Sequence, residues 1–98
     1  MSTLTVPPAT ADQPDAIDAA DRIGQLRGAI DACDAEIIAL VQRRLAISQE
    51  IGSVRAASGG TRLNLSREQQ VLSRFGAALG RDGATLGMLL LRLGRGRL

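Results

Sequence analysis

The sequence contains no histidine, lysine, tryptophan or tyrosine, and it holds one cysteine, Cys33, and one aromatic residue, Phe75. Each absence removes a class of chemistry. Without histidine the commonest general base and metal ligand is gone, and a single cysteine cannot build a thiolate metal cluster. With so few aromatics, the 45% apolar share is carried by Ala, Leu, Ile and Val, a composition suited to helices and not to sheets. No segment reads as membrane-spanning, because the apolar run from Leu86 to Leu93 is too short to cross a bilayer. The opening residues MSTLTVPPATADQP have neither a basic region nor a continuous apolar region, so they do not read as a signal peptide. The expected compartment is the cytoplasm, with which a lone cysteine agrees.

What the chain does have is arginine. All twelve basic residues are Arg, set against ten Asp and Glu, for a net charge of +2. GC-rich coding alone would produce that usage, yet it also supplies planar forks that fit carboxylates and phosphates. The charge excess is too small for a general nucleic-acid binder, and the arginines of the terminal RLGRGRL have no interleaved aromatics. The expectation is therefore no nucleic acid, no membrane and no cofactor.

Ninety-eight residues make one domain, which buries only a modest share of its surface alone. Residues 1–14 are rich in Pro, Thr and Ala without periodicity and read as a disordered tail, leaving residues 15–98 as the working domain. From Asp15 to Ser58 there is no proline, and positions 23, 26, 30, 33, 37, 40, 44, 47, 51 and 54 alternate in steps of three and four. Nine of those ten are Ile, Leu, Cys or Val; the tenth is Arg44. A helix of about 40 residues extends about 60 Å, longer than a globule of this size is wide. It cannot bury its seam against its own chain, so a second subunit is expected along it.

Gly59 and Gly60 read as the stop of that helix, followed by the connection GGTRLNL. Ser66 with Gln69 three residues on is a capping-box pattern opening a second helix that runs to about Leu79. Gly80, Asp82 and Gly83 read as a turn, ATLGMLLLRL as a third helix, and GRGRL as an end frayed by its glycines. The expected fold class is all-α, with one long and two shorter helices per chain in an intertwined homodimer and no strand.

Arg44 stands out as a charge on an apolar seam, with Leu40, Val41, Ile47 and Ser48 as its helical neighbours and no acid among them. Arg55, eleven residues on, falls on nearly the same face, and Arg67 near the start of the second helix likewise has no acid three or four positions away. Arg27 lies about 100° around the helix, within reach of Asp31, and would act most naturally on a partner subunit. Such arginines can snorkel to a rim and do nothing more. Alternatively, several converge inside a helical bundle to bind a small dianion. Glu68 in the first turn of the second helix either complements the helix dipole or faces a ligand. Cys33 on the seam reads as a packing residue, with no histidine to activate it.

The stretches LRGAIDACDAEIIALVQRR and IGSVRAASGGTRLNLSRE, with the ending LLLRLGRGRL, resemble the AroQ-type helical chorismate mutases, the ending in particular their short actinobacterial intracellular subclass. The similarity runs from about residue 23 to 98. It implies a cytoplasmic all-α homodimer that rearranges chorismate to prephenate for phenylalanine and tyrosine biosynthesis, each site drawing on both chains. It also implies roles. Arg27 crosses to the partner's site, Arg44 and Arg67 bind carboxylate and neighbouring groups, Arg55 lies near the ether oxygen, and Glu68 holds the ring hydroxyl, with Thr61 and Asn64 beside the substrate. The catalytic set so implied is Arg44, Arg55 and Glu68. The reaction is pericyclic, so orientation and charge stabilisation suffice without a base or nucleophile.

Three departures from the family pattern accompany the resemblance. Asn64 stands where many relatives have Asp, the late helix-three Gln of many relatives has no clear counterpart, and the chain ends at Leu98, where a tail would close the site. One lost donor in a preorganised site costs about a hundredfold in rate, so the expectation is an enzyme slow by itself. In the subclass, complex formation with DAHP synthase relieves low activity, and GRGRL is the expected docking element. The competing readings are the same scaffold acting on 4-amino-4-deoxychorismate or isochorismate, and a non-catalytic helical interaction module.

Overall fold

The computed structural model describes residues 16–60 and 64–96. The expected tail, residues 1–14, lies outside the described residues, as do Thr61 and the final two positions of GRGRL. Three α-helices account for the described residues with no strand among them: α1 (Ala16–Ala57), α2 (Leu65–Leu79) and α3 (Arg81–Arg95). The chain divides into two units, one ending at Ile37 and one beginning at Ile38, so the division falls within α1.

The first unit is the N-terminal part of α1. Asp18 in its first turn complements the partial positive charge of the helix end. Its seam residues Ile23, Leu26, Ile30 and Ile37 are 47–58% exposed, and Cys33 between them is exposed as well. The heptad spacing makes a helix, but among the described residues of this unit nothing covers its apolar stripe.

The second unit holds the rest of α1 with α2 and α3. Helix α1 ends as its glycines require. Gly59 takes φ +78°, a conformation costly for any residue with a Cβ. The Gly59 N–H then donates to the Ala56 carbonyl at 3.2 Å and the Gly60 N–H to that of Arg55 at 2.8 Å. This paired closure satisfies carbonyls that the last turn would leave open.

Helix α2 begins one residue before the expected Ser66. Its cap is Asn64, whose Oδ1 accepts from the Arg67 N–H at 3.0 Å, and Ser66 is already helical. The capping box is displaced because a side-chain carbonyl at 64 reaches the open amide directly, and asparagine is among the strongest caps.

The α2–α3 connection also departs from the expectation. Gly80 alone makes the break, with φ +80°, and α3 starts at Arg81, so Asp82 and Gly83 lie inside the helix. Gly83 and Gly87 are buried. A Cβ at Gly83 would overlap the Phe75 carbonyl oxygen and Leu79 Cβ, and one at Gly87 would stand 3.4 Å from Phe75 Cβ. Their bare backbones let the antiparallel helices pack closely. Val71, 3% exposed, is the buried hydrophobic residue among those described. At the far end the described part of GRGRL, residues 94–96, does not fray. Gly94 and Arg95 continue α3, and Gly96 closes it with φ +63°, its N–H shared by the Arg92 and Leu93 carbonyls.

Replacing Gly83 by Ala is expected to lower stability by about 1–3 kcal/mol, since overpacking outweighs the helix propensity gained. Urea denaturation checks this, with Gly24→Ala, where nothing lies within 4 Å, as the control that does not destabilise.

Candidate active site

The second unit contains a groove of about 500 Å³. That volume suits a small organic ligand. Its polar walls come from three directions: Arg44 and Arg55 from α1, Arg67 and Glu68 from the start of α2, and Arg95 from the end of α3. Val71, Ile47 and Leu91 supply apolar surface between them.

The local folding explains each placement. Arg44 replaces an apolar residue on the α1 seam, so the helical repeat that would bury a leucine turns this guanidinium toward α3. It is half-buried, and its Nη1 donates to the Leu90 carbonyl at 3.4 Å. Arg55 stands in the last turn of α1, where the Gly59 and Gly60 closure fixes its backbone and a cation is favoured by the helix dipole. Arg67 and Glu68 occupy the first turn of α2, held by the Asn64 cap. The Nη1 of Arg67 lies 3.5 Å from Gln70 Oε1, a weak contact from an exposed side chain.

Glu68 is engaged by a residue that the sequence reading did not include in the site. Arg95 Nη2 donates to Glu68 Oε1 at 3.4 Å, and Arg95 Nε stands 3.3 Å from Oε2. The second approach is an ion pair without hydrogen-bond alignment, since the buried Nε finds no aligned acceptor among the described residues. Charge-assisted bonds are usually 2.7–2.9 Å, so the fork is loosely closed. The signal for Arg95 was present in the sequence: it lies four residues after Leu91 and eight after Gly87, on one helical face. The glycines flanking it disguised that face as a loose end.

The structure thus brings together Arg44, Arg55, Asn64, Arg67 and Glu68 from the expected set. Arg27 belongs to the first unit, where it is exposed, and Thr61 lies outside the described residues. Four arginines against one carboxylate make the groove positive, with forks suited to an anion bearing carboxylates. Asn64 lines the groove too, but its Oδ1 is engaged by the Arg67 amide. Among the described residues there is no group of three or more His, Cys, Asp or Glu placed to hold a metal ion.

Comparison with known proteins agrees with this chemistry. A family model described as chorismate mutase type II matches residues 26–87. An intracellular chorismate mutase of Mycolicibacterium smegmatis is 58% identical over 85 residues, which is 87% of this chain and 82% of the relative. One from Mycobacterium tuberculosis is 59% identical over 76 residues, 78% of this chain and 71% of the relative. Among solved structures, a non-covalent complex of DAHP synthase and chorismate mutase from Corynebacterium glutamicum, with a bound transition state analog, matches with a TM-score of 0.78 and 42% identity. The match covers 82% of this chain and 96% of that one.

Because Asn64 acts as the α2 cap, Asn64→Ala is expected to cost about 1 kcal/mol of stability, and Asn64→Asp a few tenths at most. Chemical denaturation of the two variants checks the difference.

Proposed function

The chain belongs to the chorismate mutase type II family, and from that premise we propose how its groove performs the isomerisation of chorismate to prephenate. Chorismate carries two carboxylates, an ether-linked enolpyruvyl arm and a ring hydroxyl. The observation that carries the reading is the convergence of Arg44, Arg55 and Arg67 on one groove with a single carboxylate, Glu68, beside them. Arg44 and Arg67 bind the carboxylates by paired hydrogen bonds and hold the arm over the ring, which converts a rare conformer into the bound one. Arg55 stabilises the negative charge that develops on the ether oxygen as its bond to the ring breaks and the new carbon–carbon bond forms. Glu68 accepts from the ring hydroxyl. No proton changes hands, so a chain without histidine suffices. Thr61 and Asn64 flank the substrate, with Asn64 acting chiefly through the turn it caps.

The active assembly is an intertwined homodimer. Its support is the α1 stripe: Ile23, Leu26, Ile30, Ile37 and Leu40 are each 47–58% exposed in the single chain. Covering the exposed half of residues of this kind is worth about 1 kcal/mol each, and Arg27 of each chain then completes the other chain's site. The working compartment is the cytoplasm, as the names of the intracellular relatives suggest; no helix among the described residues is long and apolar enough to cross a membrane.

The partner is DAHP synthase, docked through the C-terminal GRGRL. Its support is the Corynebacterium glutamicum complex, whose mutase chain is matched over 96% of its length. Docking raises a rate that is low in the isolated mutase.

Arg44→Ala is expected to lower kcat/KM by about a hundredfold or more, followed as chorismate consumption with helicity checked by circular dichroism; an unchanged rate overturns the reading. Added DAHP synthase is expected to accelerate the wild type. Analytical ultracentrifugation is expected to show a dimer, and a monomer that retains full activity overturns the shared site.

A further inference from the structure

Arg95 stands outside the residues given roles above, yet an ion pair within the groove ties it to Glu68. We propose that Arg95 is a positioning residue for the mutase reaction: its guanidinium holds the Glu68 carboxylate turned into the groove so that the carboxylate meets the ring hydroxyl of the substrate. The proposal rests on the role given to Glu68 in the preceding subsection.

Three observations carry it. Both oxygens of Glu68 face Arg95, one from Nη2 at 3.4 Å and one from Nε at 3.3 Å. The two side chains are only 20% and 31% exposed, Glu68 and Arg95 respectively, so the pair is shielded more than a surface ion pair would be. Finally, the pair spans the open end of the α2–α3 hairpin, where the start of α2 favours an anion and the end of α3 a cation.

A carboxylate has about four lone-pair directions. Two loose contacts to Arg95 leave room for a hydroxyl proton. A free glutamate would sample several rotamers, and binding would have to select one. Arg95 removes that selection. It does so only while the last turn of α3 is formed, and the Gly96 N–H closes that turn on the Arg92 and Leu93 carbonyls. The orientation of Glu68 is thereby joined to the helical state of the chain end.

The test is a double-mutant cycle on the full chain with chorismate as substrate, with KM and kcat measured separately and melting temperature recorded for each protein. Arg95→Ala is expected to raise KM about tenfold with a smaller change in kcat, because Glu68 contributes binding common to ground and transition states. Arg95→Lys is expected to recover part of that loss, since a one-point charge replaces the fork. Glu68→Ala is expected to weaken binding by itself, and the double variant to be no worse than Glu68→Ala alone. Additive losses would mean that Arg95 acts independently of Glu68 and would overturn the proposal while leaving the role of Glu68 intact. A kcat/KM unchanged or raised by Arg95→Ala would also overturn it, the second result making the pair an obstruction. If Glu68→Ala has no effect, the proposal falls together with the reading of Glu68 on which it rests.

Discussion

The near-contact of two backbones, α3 at Gly83 against α2 at Phe75, is the constraint from which the rest of the second unit follows. A side chain at Gly83 would push the helices apart, and every residue farther along the hairpin would move with them. Because the helices are antiparallel from Gly80 onward, this spacing determines how the start of α2 meets the end of α3. Across this tight hairpin Arg95 Nε stands 3.3 Å from Glu68 Oε2. The positive groove is therefore a product of small residues as much as of charged ones.

Seen this way, the division of labour among the helices is simple. Helix α1 presents Arg44 on a stripe that is otherwise apolar and Arg55 in its last turn, α2 contributes its first turn under the Asn64 cap, and α3 brings a cation from its last turn. Each charged group stands near a helix terminus or replaces a seam residue. Those are the two kinds of position where a helical chain can hold a charge against a partly apolar cavity at modest cost. The family to which the chain belongs catalyses a rearrangement that demands no proton transfer, and a groove made largely of guanidinium groups is suited to that demand.

Much of this was legible in the sequence, and the parts that were not share a cause. The long helix was expected from Asp15 to Ser58 and runs over Ala16–Ala57, because a heptad repeat free of proline admits no other reading. Arg44, Arg55 and Arg67 stand out in the sequence because acids within a turn can be checked by counting, and Glu68 because it falls in the first turn of a helix; all four line the groove. Glycine was misread. Gly83 and Gly94 read in the sequence as breaks, though both lie inside α3, because the same residue serves a turn by its freedom and a helix crossing by its smallness. Arg95 was missed for that reason, since an arginine between two supposed breaks has no face. The capping shift from Ser66 to Asn64 arises where two good caps lie two residues apart and the Asn64 side chain takes the open Arg67 amide.

The glycines of α3 also change what that helix is. Gly83, Gly87 and Gly94 each cost a helix about 1 kcal/mol relative to alanine, so the segment would scarcely form in isolation. Its helicity is conferred by the surfaces it touches, Phe75 and Leu72 at one end and Ser48 at the other. A segment of that kind opens at a lower free energy than its neighbours. Its backbone amides would exchange with solvent deuterium as a running gauge of whether the groove is assembled.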